Sequence, residues 1–442
     1  MKPGDPGHDH LRGADDDRGA GMDGATGSTT GCAIIGGGPA GMVLGLLLAR
    51  AGVRVTVLEK HGDFLRDFRG DTVHPSTMRL LDELGLGERF AALPHSKVRQ
   101  AAFPLSDGRR LVLSDFSKLR MAHPYIAMVP QWDLLDLLAD AAREEPTFSL
   151  RMNTEATGLV HEDGRVAGVR YQGPDGPGEL RAELTVACDG RWSLARREAG
   201  LTVREYPVPI DAWWFRIPTT GETLPALTPR TAPGRTLIPI PREGYLQIAY
   251  LGLKGTDADL RTRGIEAFRR DISTLLPGAE VDALTSMDDV KHLDVRVNRL
   301  HRWHIPGLLC IGDAAHAMSP VGGVGINLAV QDAVAAATRL ARPLRRHRLT
   351  DRDLASVQRR RLAPTIAVQA LQRLLHRRLI TPILTGQAAA PPAGLLAVVA
   401  RFPALSVVPA YLVGVGLLPE HAPTWARRPS RPRPPAKHPA DR

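Results

Sequence analysis

The chain has 442 residues, of which 57 are Lys or Arg and 47 are Asp or Glu, for a net charge of +10. A hydrophobic content of 43% can bury a sizeable core, in one large domain or two to three ordinary ones. The basic excess argues little for nucleic acid, because part of it sits in the Pro-rich end "RRPSRPRPPAKHPADR" and no basic run is interleaved with aromatic residues.

Residues 1–30 are rich in Gly and Asp, lack the apolar core of a signal peptide and read as a disordered leader, so a cytoplasmic location is expected. Cys32, Cys188 and Cys310 make no CxxC pair, which argues against a disulfide framework or a cysteine zinc site; no metal is expected. "CAIIGGGPAGMVLGLLLARAGVRVTVLEK", from Cys32 to Lys60, reads as strand, glycine turn, helix and second strand. Pro39 opens the helix and Gly52 follows its end.

Helices are expected over 75–93 and 131–145, and short strands around 98–116. Residues 158–171 read as a hairpin turning at Asp163–Gly164, and 182–190 as a strand ending in a loop. From 206 to about 295 the character changes: "DAWWFRIP" and "GYLQIAYLGL" are strand-like and aromatic, and the helical "GIEAFRRDISTLL" follows. "GLLCIGDAAHAM" (307–318) returns to a buried strand and a loop, 327–344 is a helix, and beyond 346 the chain is helical and Arg-rich. Residues 393–418 are apolar but contain Arg401, Pro403 and Pro409; this favours packed terminal helices over a membrane span and leaves peripheral membrane contact open.

The spacing of Gly36, Gly38 and Gly41 is that of a dinucleotide fingerprint. The first glycine allows the tight turn, the second lets backbone approach a pyrophosphate, and the third lets helix pack on sheet. The helix start, with Ala40 in its first turn, offers unpaired N–H groups to phosphate. Glu59, followed by Lys60, ends the second strand; a carboxylate there accepts from ribose hydroxyls and repels a 2′-phosphate, which points to FAD or NAD rather than NADP. "ACDGRWSLAR" then carries Asp189–Gly190, Ser193 and Arg196 after a strand. "LLCIGDAAHAMSPVGGVGINLAVQDA" carries Gly312–Asp313, and then Pro320, Gly322, Gly323, Gly325, Ile326 and Asn327 opening a helix.

With these three motifs in order, the chain over roughly 32–345 resembles the class A flavoprotein monooxygenases, the para-hydroxybenzoate hydroxylase-like family. The resemblance implies an α/β fold: a Rossmann-like FAD-binding domain, an inserted β-sheet substrate domain and C-terminal helices. The expected division is 31–97 with 122–205 and 290–345 for FAD and 98–121 with 206–289 for substrate. Residues 346–420 would be terminal helices and 421–442 a disordered basic tail. Asp313 would bond a ribityl hydroxyl, and the stretch from Pro320 to Asn327 would face the isoalloxazine ring. Asp189 and Gly190 would serve FAD and the nicotinamide donor. Arg69 and Gln131 resemble the residues near the FAD pyrophosphate.

The catalytic positions are therefore backbone ones, at Pro320, Gly322 and Gly323. His316 reads as a packing or hydrogen-bonding residue in preference to a base. The implied reaction is hydroxylation of an aromatic or polyketide-like molecule by dioxygen through a flavin C4a-hydroperoxide, with NADH or NADPH as donor. A flavin-dependent reductase of isoprenoid double bonds, a halogenase and a non-catalytic flavin-binding protein are the rival readings. "RWHIP" matches the halogenase W-x-W-x-I-P only in part and lies before the Gly312–Asp313 strand, the wrong place. No CxxC appears in the roughly 100 residues after the flavin region, so the thioredoxin-like domain of the larger phenol hydroxylases is expected to be absent. No second glycine fingerprint decides between NADH and NADPH. Candidate pocket walls, from strand alternation alone, are Trp213, Trp214, Phe215, Tyr245 and Gln247.

Overall fold

Strand β1 (Ser28–Ile35), helix α1 (Pro39–Arg50) and strand β2 (Val55–Leu58) form the βαβ unit read from the sequence. The computed structural model describes residues 28–65, 72–104, 110–219, 228–232, 234–242, 244–387 and 401–429. Pro39 sits in the first turn of α1, and Gly52 follows it with φ +78°. The strand starts earlier than expected, at Ser28, because 28–30 pair in parallel with Leu180–Ala182. The rest of the expected leader, residues 1–27, lies outside the described residues, as does Arg69.

β1 lies within an eight-stranded sheet. Gly176–Ala187 and β2 flank it in parallel, Leu308–Cys310 lies beyond the first and Phe148–Arg151 beyond the second. α1 is apolar on nearly every side because it is buried between this sheet, helix Gln131–Arg143 and helix Gly325–Arg345. The hairpin Glu155–Glu162/Arg165–Gly173 turns at Asp163 (φ +48°) and Gly164 (φ +74°), as its Asp–Gly pair requires. The expected 75–93 helix is two, Pro75–Glu83 and Gly87–Ala91, broken at Gly85 with φ +74°.

The aromatic region builds a five-stranded antiparallel sheet. Its order is Arg230–Ala232, Arg235–Pro241, Tyr245–Leu253, Ile210–Pro218 and Lys291–Leu293. Two expected boundaries need correcting. Lys291–Leu293 pairs into this sheet although 290 onward was assigned to the cofactor region. Residues 98–121 do not join it: Gln100–Pro104 and Arg110–Asp115 form their own hairpin, and Ser96–Val98 pairs with Ile126–Met128. Helix Asp257–Leu275 covers one face of the sheet, while Val321, Ile380 and Leu384 meet the other.

The C-terminal part is helical, in Asp351–Leu375 and Val407–Gly414. Among the described residues no helix is long and apolar enough to cross a membrane. The expected disordered tail is corrected for 421–429. Ala422 and Ala426 are buried in the main core, the Ala422 N–H donates to Glu83 Oε2 (2.6 Å), and Arg50 donates to the Ala426 carbonyl (2.9 Å). Residues 430–442 lie outside the described residues. A chain ending at Glu420 should therefore be destabilised by about 2–4 kcal/mol, from several lost hydrogen bonds at about 1 kcal/mol each and two lost buried methyls. Urea titration checks this; a midpoint equal to that of the full chain contradicts the packing role.

Candidate active site

Three motif loops leave the sheet side by side. Ile35 is in register with Ala187, and Ala187 with Cys310, on adjacent parallel strands. Gly36, Asp189 and Gly312 therefore emerge together at the carboxyl edge, where ligands of open α/β sheets sit. Gly36 has φ +101°, and a Cβ there would lie 2.5 Å from the Cys188 carbonyl oxygen. A Cβ on Gly41 would overlap the Gly36 carbonyl oxygen, so the turn and helix approach as closely as backbone allows. Gly38 faces open space and caps α1 with no side chain, leaving first-turn N–H groups free of a capping side chain.

Glu59 is 2% exposed and stands beside this turn: Oε2 accepts from Gly37 N–H (2.8 Å) and Oε1 from His61 N–H (3.1 Å). Ala40 is buried and Lys60 exposed. This cradle fits a dinucleotide pyrophosphate with an adenosine ribose beside Glu59.

Asp189 acts as a helix-start residue: its Oδ2 accepts from Ala195 N–H (3.2 Å), and Ser193 caps the same turn. Burial raises the Asp189 carboxyl pKa against these hydrogen bonds. Gly190 takes φ +80° and faces open space. Arg196 donates to the Ala314 carbonyl (3.2 Å), and Arg191 pairs with Asp313 (3.3 Å), so the two later motifs are bonded to one another. Asp313 keeps 32% side-chain exposure on the short turn Gly312–Ala314, where a ligand hydroxyl can reach it.

Behind that turn Asp332 is fully buried. It accepts from Gly312 N–H (3.1 Å) and Arg361 Nε (3.0 Å) and contacts His316 Nε2 (2.5 Å). His316 is thus a packing and hydrogen-bonding residue, its ring tilted against Trp303 at 5.0 Å between centroids.

The Pro320–Gly323 loop is clamped from two sides. Thr72 Oγ1 donates to the Gly323 carbonyl (2.8 Å), and His74 Nε2 lies 3.4 Å from the Gly322 carbonyl. Opposite, Gln372 accepts from Ser319 N–H (3.1 Å) and donates to the Ser319 and Val321 carbonyls (2.9 Å each), while His376 Nε2 meets Ser319 Oγ at 2.9 Å. Gly322 and Gly323 have φ of +83° and +63°, and Gly325 opens its helix with no capping side chain. The side chains of Ile326 and Asn327 turn inward. Ile326 packs in the core, and the Asn327 Oδ1 accepts from Ser76 (2.8 Å) and Thr77 (2.9 Å).

The pocket walls also need correcting. Trp213 and Phe215 are buried against the helix Asp257–Leu275, with Trp213 Nε1 donating to Asp257 (2.7 Å). They face away from the Pro320–Gly323 loop. Trp214 is on the opposite face, which meets Val321. Its neighbours there, by register and alternation, are Arg216, Tyr245 and Gln247. Arg216 lies over the rings of Trp132 (5.6 Å) and Tyr245 (5.0 Å). Gln131 begins its helix, half-buried, next to Trp132.

Sequence reasoning missed Asp332, Arg361, Gln372, His376, Thr72 and His74. Only Asp332 left a signal, an acid amid alanines in "QDAVAAA".

Burial of His74 pushes its pKa down to about 4, partly offset by the Gly322 carbonyl; its Nδ1 has no partner among the described residues. An unfolded imidazole titrates near 6.5. The unfolded chain therefore binds this proton more readily. The resulting stability is fully present above about pH 6.5 and is lost as pH falls towards 4, by on the order of 3 kcal/mol. The His74→Gln variant should lose correspondingly less stability than the parent between pH 6.5 and 4 in urea titrations; equal losses contradict a neutral buried His74.

The FAD binding domain family model matches residues 29–370. The chain is 35% identical over 386 residues to 6-methylpretetramide 4-monooxygenase of Streptomyces rimosus, covering 86% of this chain and 91% of that one. It is 26% identical over 319 residues to para-nitrophenol 4-monooxygenase of Pseudomonas sp. strain WBC-3, covering 69% and 75%. The solved structure of the anhydrotetracycline hydroxylase OxyS from Streptomyces rimosus superposes with TM-score 0.69 at 24% identity, over 87% of this chain and 76% of that one, a likeness of fold. With the motif loops converging on one edge and the family model spanning most of the chain, the protein belongs to the class A FAD-dependent aromatic monooxygenases.

Proposed function

We propose that the substrate is an aromatic or polyketide-like small molecule, hydroxylated in the pocket between the Pro320–Gly323 loop and the inner face of the five-stranded sheet. The balance is substrate C–H, dioxygen, NADH or NADPH and a proton giving substrate C–OH, water and oxidised nicotinamide. The relative named for 6-methylpretetramide, at 35% identity, supports a polyketide-like substrate. The observation that carries the reading is Trp214. It lies on the sheet face that meets Val321, and its indole Nε1 is buried with no acceptor among the described residues. A substrate oxygen would satisfy that donor.

FAD, when bound, would supply the redox chemistry of the reaction. The chain's own residues do the rest. The free N–H groups at the start of α1 and Glu59 hold the dinucleotide end, and Asp313 holds a ribityl hydroxyl. The N-terminus of the 21-residue helix Gly325–Arg345 would offer its free N–H groups to negative charge on a bound flavin ring. Trp214, Tyr245, Gln247 and Arg216 orient substrate. The buried face of the sheet excludes water on its side of the pocket.

Purified protein should carry a yellow chromophore and oxidise NADH or NADPH faster when an acceptable phenol, quinone precursor or polycyclic aromatic is added. One atom of labelled dioxygen should enter the product; substrate-independent oxidation without incorporation overturns the reading. Trp214→Ala should raise substrate KM about tenfold, the value of one buried hydrogen bond with its ring contacts, at unchanged FAD content. Trp213→Ala should instead destabilise the fold by about 3–5 kcal/mol. Substrate KM responding to Trp213 and not to Trp214 would reverse the assignment of the two faces.

A further inference from the structure

Strands Val203–Tyr206 and Val297–Leu300 pair antiparallel as a separate two-stranded ribbon, with Arg204 directly opposite Arg299. Like charges facing one another across a strand pair are destabilising. A third cation joins them: helix Asp351–Leu375 brings Arg373 to the same aromatic ring. The guanidinium carbons of Arg204, Arg299 and Arg373 lie 5.4, 5.6 and 4.5 Å from the Tyr206 ring centroid. Arg299 is fixed in place, donating to Tyr206 Oη (2.9 Å) and Gln369 Oε1 (2.7 Å). Arg204 is exposed and Arg373 half-exposed.

No carboxylate pairs with any of the three among the described residues. Glu205 points to the other face of the ribbon, where it accepts from Asn298 (2.9 Å) and lies 3.6 Å from Arg296. Other arginines of this chain do find acids, as Arg361 finds Asp332 and Arg360 finds Glu420. The ring offsets part of the repulsion by cation–π attraction, but among the described residues the forked N–H donors of Arg204 and Arg373 have no acceptor. A tetrahedral oxyanion matches that donor set.

We propose that Arg204, Arg299 and Arg373, gathered on Tyr206, form a binding site for the phosphate group of a small-molecule ligand. The ribbon backs the cofactor edge: the Leu300 N–H donates to the Ala315 carbonyl (2.8 Å) and the Asn298 N–H to the Ala317 carbonyl (3.2 Å), in the segment that follows Gly312–Asp313. The reduced nicotinamide donor carries such groups and is one source, an assignment that rests on the reaction proposed above. Free phosphate or pyrophosphate is the other.

The test uses the full chain with FAD bound and the double variant Arg204→Gln/Arg373→Gln, which leaves Arg299 and its structural bonds intact. Calorimetric titration with inorganic pyrophosphate at constant ionic strength should show binding to the parent that weakens at least tenfold in the variant, about one charge-assisted hydrogen bond's worth or more. FAD content and melting temperature should stay unchanged. Equal titration curves for parent and variant, or no pyrophosphate binding to the parent, overturn the site. With pyrophosphate binding lost, a tenfold rise in KM for NADPH at nearly constant kcat assigns the phosphate to the donor. Unchanged KM for both nicotinamides assigns the same site to free phosphate. A parent that oxidises neither nicotinamide refutes the proposed reaction, while the pyrophosphate titration still decides this site.

Discussion

A single buried carboxylate, Asp332, ties the cofactor edge to the rest of the molecule. Its helix faces the core with alanine and leucine, and a lone charge there would be costly. Three partners remove the cost: the Gly312 N–H and His316 from one turn, and Arg361 from a later helix. Burial raises the Asp332 pKa, but His316 and Arg361 outweigh it and hold the carboxyl below its usual range. Removing Arg361 would leave the buried carboxylate with His316 and one N–H alone against its desolvation, a destabilising loss. Its product is the backbone at Gly312, held at φ +59°, which turns Asp313 away from the core to its partly exposed place beside Arg191.

The same logic extends along the long C-terminal helix. Arg361, Thr365, Gln369, Gln372 and His376 are all buried, although burial usually selects apolar residues. Arg361 meets Asp332 on another helix and His376 the Ser319 hydroxyl, while the two glutamines meet irregular main chain. Gln369 donates to the Asn298 carbonyl (2.7 Å), and Gln372 serves three groups of Ser319 and Val321. Irregular backbone that is buried must find hydrogen-bond partners, and here a helix supplies them. The pocket loop is thus held by a segment more than fifty residues later, and by Thr72 and His74 from far earlier in the chain.

Much of this was visible in one dimension. The glycine turn, Glu59, the Asp–Gly hairpin and the Gly312–Asp313 turn were readable because each depends on neighbours within a few residues or on a positive φ. The pocket face was not. Alternation says which residues of "DAWWFRIP" share a side, but not which side meets the pocket, and both sides of this sheet are covered. The parity therefore came out reversed for Trp213 and Phe215. The tail misled for a related reason: its basic, Pro-rich composition hid Ala422 and Ala426, whose burial depends on Glu83 and Arg50.

The amino-acid order alone was enough to mark the βαβ unit, the three motif loops and the family resemblance, since close backbone approach and tight turns admit few residue types at each position. Folding in three dimensions decided the rest: which tryptophan shares a sheet face with Val321, why Asn327 turns inward to Ser76 across 251 positions of chain, and how three arginines come to share Tyr206. Those outcomes hang on pairings between distant segments. A side chain's local pattern does not encode its partner when that partner lies hundreds of residues away.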